Sequence, residues 1–410
     1  PFNLKLYLIL ILLSSIGPIN HPDASDYHVG VPFQVLLQGI EFKKDFLSLG
    51  VTGAGDWVNI LFLYENSAWL IRFVNGFIFI PIVCYLYEKR INFWIIIIFL
   101  SMPVVIQWIS IGKSMFLVEV TLAILFTHFL DNRNKKSINK LIFASIFSLS
   151  FKISCLLSVI CIMAATFVRK KIYIFTSFKP DYINLLTLLL VILLSSLIFF
   201  LRYEWFSNPA FPMLTSFFNS NESDLITFTE SLTSYKREVW YWPFRVFISF
   251  NISDAMFATG PIFLCFMIAN TFLNFRDKDS SLLFLTGSLS IILIMLFAQP
   301  RGDYFIFSFF LFTVASSPLR TKNLKFLSSR LFKIVIIFQV IISFSILLTN
   351  LFQNIYAAVD YQNAMKRFSY GYDISQIAKK LKEPVLISDI RQTRLFYEME
   401  YIDREFFIKC

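Results

Sequence analysis

Charge is scarce in this chain. Only 16% of its 410 residues are Asp, Glu, Lys or Arg, and only three are histidine. The charges that do occur fall in clumps between apolar runs, and their balance is basic, with a formal net charge of +10. A basic surplus can serve nucleic acid, but no RNA- or DNA-binding signature accompanies it. In a membrane protein the same surplus anchors inner loops. Cysteine is scarce too. Cys84, Cys155, Cys161 and Cys265 lie in apolar runs, and Cys410 ends the sequence. With no Cys-x-x-Cys and no zinc-ligand spacing, neither a disulfide framework nor a structural metal is expected. Internal repeats and low-complexity linkers are absent. No small-x-small site precedes Asp23, so residues 2–17 read as a span and not as a cleaved leader.

Apolar residues, by contrast, make up 57% of the chain, and its mean hydropathy is +0.66. Soluble domains hold about 45–50%. Apolar runs of about 18–22 residues recur, the length that crosses the hydrocarbon core as helix. The pattern predicts an all-α polytopic membrane protein of about eleven transmembrane helices. They fall approximately at 2–19, 67–87, 92–110, 114–130, 140–151, 153–168, 182–201, 254–275, 281–298, 304–317 and 331–350. The fifth and sixth are short. "DNRNKK" precedes that segment and "RKK" follows it, so a pair that turns at Lys152 keeps both basic clusters inside, whereas one long helix would not. With the N-terminus inside, the inner loops hold more Lys and Arg than the outer ones in less than half the length. That asymmetry orients the chain and puts its C-terminus outside.

Two outer loops are long, 20–66 and 202–253. The first contains "YHVGVPFQVLLQGIEF", which reads as an interfacial amphipathic helix. The second carries Trp240, Tyr241 and Trp242, suited to headgroup depth. Residues 1–350 thus form the membrane domain. Residues 351–410 are polar and charge-balanced, with a helical "ISQIAKKL" and an apolar "PVLIS" strand candidate, and read as a small outer-face appendage.

The stretch "NHPDASDYHVG", residues 20–30, follows the first span at once. Acidic residues are welcome at any polar helix exit, and Pro22 makes a turn there. A carboxylate at the interface is also suited to general-base work: it can take a proton from an acceptor hydroxyl while a lipid-phosphate leaving group departs at headgroup depth. Asp23 and Asp26 are the candidates for that role. Lys113 in "SIGKS" and Lys152 in "SFKIS" lie at outer turns. An ammonium near membrane depth costs about 2.5–3.5 kcal/mol, so it has a partner or a task, unless it snorkels to the surface. Arg301 in "QPRGDYF", with Asp303 nearby, falls on the same face. Three cations opposite two carboxylates make a phosphate clamp. Glu119, inside the fourth span, reads as half of an ion pair with a neighbouring helix, or as part of a proton pathway. His128 reads as an interfacial residue near the inner end.

Four motifs share one order with a known superfamily. They are "DASDYH" after the first span, "FKIS" in the short pair, the NP-x-x-P element "SNPAFP" after the seventh, and "QPRGDYF" at a late span. In these the chain resembles the GT-C superfamily of integral membrane glycosyltransferases, in the bacterial branch that looks like the protein mannosyltransferases and aminoarabinose transferases. Relatives often show adjacent Asp-Glu in the first motif, and Arg directly before the aromatic in the last. Here Gly302 and Asp303 separate Arg301 from Tyr304. The resemblance implies a polyprenyl-phosphate sugar donor and inverting transfer on the outer face of the cytoplasmic membrane. The acceptor would be a glycan, lipid or protein. It further implies an essential acid in the first loop, carried over to Asp26 or Asp23, with Tyr27, His28 and Tyr304 joining the cations in substrate binding. No cofactor or divalent metal is implied.

Three rival readings use the same composition. A polysaccharide polymerase or ligase of O-antigen type would rely on loop arginines, here Arg237 and Arg245. A lipid-linked-sugar flippase would show inverted repeats and helices broken at the midplane. A membrane protein without activity is the third. Topology can be tested alone: a reporter fused after Cys410 is expected to be active only in the periplasm, and cytoplasmic activity would put the acidic loop on the wrong side.

Overall fold

A computed structural model describes residues 4–22, 24–38, 52–63, 68–132, 135–170, 182–211, 259–273, 278–297, 302–317, 330–369, 372–378, 385–387 and 401–403, with a few isolated positions besides. Helices dominate them. Five are long and apolar enough to cross a membrane: Trp69–Glu88, Met115–Asn132, Leu185–Glu204, Lys278–Phe297 and Phe332–Val359. Most other expected spans correspond to shorter apolar helices, so the eleven-span count is not reproduced by length alone.

In chain order the helices of the bundle are α1 (Leu4–Ser15), α2 (Gly30–Gln38), α3 (Ala54–Trp57), α4 (Ile60–Leu63), α5 (Trp69–Phe77) and α6 (Phe79–Glu88). There follow α7 (Phe93–Leu100), α8 (Pro103–Ile111), α9 (Met115–Asn132), α10 (Lys135–Phe151), α11 (Cys155–Lys170) and α12 (Tyr182–Phe206). The last four are α13 (Pro261–Leu273), α14 (Lys278–Phe297), α15 (Ile306–Ala315) and α16 (Arg330–Val359). In the tail, two short helices precede a pair of three-residue parallel strands, Val385–Ile387 and Tyr401–Asp403. The first of these strands falls within the "PVLIS" segment.

The centre of the bundle is α15, "IFSFFLFTVA", every residue of which is buried. A helix apolar all round belongs in such a position. Its rings interlock with those of neighbouring helices: Phe309 meets Phe263 at 4.2 Å between centroids, and Phe310 meets Phe99 at 5.6 Å. By contrast α12 and α16 leave wide apolar faces outward, among them Leu189, Leu193 and Phe200 on one, and Ile334, Phe338 and Ile341 on the other. Faces of that size are a liability in water and cost nothing against lipid tails.

The expected span 92–110 is two helices, not one. Pro103 sits at the first turn of α8, where its missing N–H is harmless, and Met102 before it is extended. The break frees backbone oxygens, and α16 satisfies them. Gln339 Nε2 donates to the Ile98 carbonyl at 3.3 Å, and the Ser343 hydroxyl donates to the Ser101 carbonyl.

The end of α1 is held in a comparable way. Arg72, buried on α5, donates from Nη2 to the Ser14 carbonyl at 3.0 Å and from Nη1 to the Pro18 carbonyl at 2.6 Å. Asn354 of α16 also donates to Ser14, at 2.8 Å, and accepts from Arg72 at 3.2 Å. A cation over the carbonyl end of a helix is also favoured by its dipole. At the opposite end of the bundle Lys89 pairs with Asp131. Arg72→Met takes a donor from the Pro18 carbonyl and from Asn354 Oδ1, while Ser14 keeps the bond from Asn354; an unsatisfied buried acceptor costs about 1–3 kcal/mol. The variant is expected to unfold at a lower temperature in detergent than wild type, and an unchanged melting curve would remove this clamp from the account.

Candidate functional site

The segment that leaves α1 winds into a single π-helical turn, Ala24–His28. The Val29 amide closes it on the Ala24 carbonyl at 2.8 Å. This wide turn sets Tyr27 and His28 side by side, with ring centroids 4.0 Å apart. His28 is buried, and the short helices of the same loop grip it twice. Its Nδ1 lies 2.7 Å from Asp56 Oδ1, and its backbone carbonyl accepts from Asn59 Nδ2 at 3.0 Å. The second oxygen of Asp56 accepts the Gly53 amide at 3.0 Å, which caps α3.

Two glycines let α3 come this close. A Cβ on Gly53 would stand 1.9 Å from the Phe151 carbonyl oxygen, and one on Gly55 would stand 2.2 Å from Ser114 Oγ. Phe151 is the last residue of α10, directly before Lys152, and Ser114 follows Lys113. The sequence "TGAGDW" therefore presses Asp56 against the two turns that carry the lysines.

Lys152 lies between α10 and α11, where the helices break as expected. It is buried, and its Nζ stands 5.4 Å from the centre of the Tyr27 ring. No described carboxylate closes an ion pair on it, and it lies within electrostatic reach of Asp56, Lys113 and Arg202. Lys113 follows Gly112, whose φ of +70° ends α8, and its buried Nζ lies 5.7 Å from the Trp108 ring. Arg202, near the end of α12, donates to the Thr52 carbonyl at 2.9 Å and reaches Asp56 with its charge. Just beyond, Asn208 accepts the Ala210 amide at 2.9 Å, and Phe206 stacks on Phe211 at 4.1 Å. This NP-x-x-P turn packs with Val31, Tyr27 and Trp57.

The structure thus brings together Tyr27, His28, Lys113 and Lys152, four of the residues singled out in the sequence. It adds Asp56 and Arg202, which were not. Asp23, Arg301, Arg237 and Arg245 lie outside the described residues, as do the side chains of Asp26 and Asp303. Tyr304 packs half-buried on the main core. Glu119, expected to pair with a cation, accepts instead from the Ser158 hydroxyl at 3.0 Å. His128 sits near the opposite end, beside Asn132.

Burial, then the charge of Lys152, pushes the His28 imidazole down to about 4, against the upward pull of Asp56. Burial pushes the Asp56 carboxyl up. The charges of His28 and Lys152 and hydrogen bonds from His28 and Gly53 outweigh it and hold Asp56 below its ordinary value. At neutral pH His28 is therefore uncharged and Asp56 ionised, so Nδ1 donates and Nε2 carries the lone pair. Such a dyad can take up a proton on Nε2, and the surrounding cations can hold an anion. Among the described residues no group of three or more His, Cys, Asp or Glu could hold a metal ion.

No protein-family model, no curated protein and no solved structure matches this chain.

The depressed His28 value has a consequence for stability. Between about 4 and 6.5 the unfolded chain binds a proton at this position and the folded chain does not. Stability therefore rises with pH across that window. The slope of melting temperature between pH 4.5 and 7 is expected to flatten in His28→Gln, whatever that variant loses in absolute stability. An unchanged slope would mean that His28 titrates normally.

Proposed function

We propose that this chain is a membrane glycosyltransferase that moves a sugar from a polyprenyl-phosphate donor to a glycan, lipid or protein acceptor. The reaction takes place on the outer face of a bacterial cytoplasmic membrane. The observation that carries this reading is the meeting of two buried lysines, from separate helix breaks, with the motif that leaves α1. Lys152 and Lys113 bind the donor phosphate, with Arg202 behind them, and stabilise the charge that grows on it as the glycosidic bond breaks. The late motif assigns Arg301 to the same task. Tyr27 lies under the Lys152 ammonium and lines the same site.

An acceptor hydroxyl is a poor nucleophile at neutral pH. A positioned carboxylate contributes about 10²–10⁴-fold by taking its proton. Asp26, in the same turn as Tyr27 and His28, has that role, and Asp23 supports it. The membrane setting supports the lipid donor: the site sits where α1 ends, among helices long and apolar enough to span.

Three variants test the reading with lipid-linked sugar and acceptor in purified, inserted protein. Asp26→Asn is expected to lower turnover by about two to four orders of magnitude, and Asp23→Asn by less. Lys152→Met is expected to weaken donor binding. If neither aspartate variant loses even about tenfold, the mechanism fails, and an arginine-based polymerase takes its place.

A further inference from the structure

Two atoms of the site carry an inference that rests on the phosphate-binding reading above. The first is His28 Nε2, which is buried and has no hydrogen-bond partner among the described residues. Its ring cannot turn to find one without giving up the 2.7 Å bond to Asp56. The second is the Lys152 ammonium, seated over the Tyr27 ring that itself lies against His28. The groups that act on the imidazole come from four elements. Asp56 is on α3, Lys113 at the α8–α9 turn and Lys152 at the α10–α11 break, while Tyr27 shares the π-helical turn. Arg202 on α12 acts on Asp56 and Lys152 in turn.

With no anion present, the lysines oppose a proton on Nε2. An anion among them reverses that field, and does so in proportion to its charge. A phosphodiester brings one negative charge, and a phosphomonoester brings two once ionised. We propose that this site binds a phosphomonoester dianion together with one proton, which His28 holds on Nε2. The proton comes from solvent. Imidazole becomes imidazolium, and no bond to phosphorus or carbon changes. The imidazolium then donates one N–H to Asp56 and the other to the phosphate, a charge-assisted bond at each end.

In the transfer proposed above, the donor is a diester monoanion and the lipid product is a monoester dianion. The proton therefore separates the two: His28 favours the spent carrier over the fresh donor. The sign follows from linkage. Monoester binding raises the His28 midpoint, so the extra affinity, counted for the dianion, is complete below the midpoint of the empty protein. It is lost as pH rises through the midpoint of the complex. Release of the spent carrier and release of the proton become one event.

The experiment uses the full chain in detergent micelles with histidine carbon-13-labelled at Cε1. The chain has three histidines, and His28→Gln identifies the His28 signal. The probes are farnesyl monophosphate, its methyl diester and inorganic phosphate, with binding followed by the phosphorus signal of each. In empty protein the His28 midpoint lies at about 4. Farnesyl monophosphate is expected to raise it by about three to four pH units, to about 7 or above, and the diester by less. Lys152→Met should abolish the rise. If both lipids bind and the midpoint stays, or rises equally with each, the inference is overturned while the phosphate site stands. If neither lipid binds, both fall. A rise with inorganic phosphate only at far higher concentration supports the lipid as ligand. An equal rise at equal concentration assigns the site to free phosphate and overturns the role in carrier release.

Discussion

The hydrogen bond between His28 and Asp56 depends on nearly everything else in the bundle being in place. Its two partners are 28 residues apart and reach each other by different routes. His28 is delivered by α1, whose last carbonyls are clamped by Arg72 and Asn354, so that the chain leaves the helix in a fixed direction. Asp56 is delivered by α3, which can touch the end of α10 only because Gly53 and Gly55 have no side chains. Neither partner could be buried alone at tolerable cost, since an isolated ion or an unsatisfied imidazole in an apolar interior is destabilising by several kcal/mol (~2–7 for the neutral group). The pair makes the burial of each acceptable.

The cations follow the same physics with a different outcome. Arg72 and Arg202 both spend donors on backbone carbonyls, Ser14 and Pro18 for one and Thr52 for the other. Their charge thereby fixes the backbone. Lys152 has a softer environment, an aromatic face and a carboxylate at a distance. Cation–π attraction is worth about 0.5–2 kcal/mol, less than a close carboxylate offers a buried ammonium. Such a group is readily drawn to an incoming anion. Among the described residues, Arg72 and Arg202 thus hold the backbone, whereas Lys152 meets an aromatic face and no close carboxylate.

Much of this was legible in the sequence because hydrophobicity is read locally. Apolar runs marked where helices lie, and basic clusters on both sides of Lys152 marked the break there. The motifs "DASDYH", "FKIS" and "SNPAFP" carried polar residues that an apolar chain does not place idly, and the fold gathers Tyr27, Lys152 and the Asn208 turn. The missed residues fail for one reason. Asp56 sits in "TGAGDW", an unremarkable loop until its glycines are seen to pass under Phe151. Arg202 closes an apolar run, where a basic residue is common. Both roles depend on contacts between distant segments, which no window of sequence displays. The division of 92–110 at Pro103 had a visible signal, but the apolar run was long enough to hide it. Glu119 invites a cation because carboxylates in membranes are usually paired, and a serine hydroxyl on α11 serves instead.

The length of α16 has a consequence for how that helix fits a bilayer. Thirty residues of helix measure about 45 Å, against a hydrocarbon core of about 30 Å. The surplus is taken up by tilt or by standing proud of the lipid tails. Asn354 rides near the far end of that lever, where it meets Arg72 and the last turn of α1. Through Asn354 the exit of α1, and with it the His28 turn, is tied to the end of this one long helix.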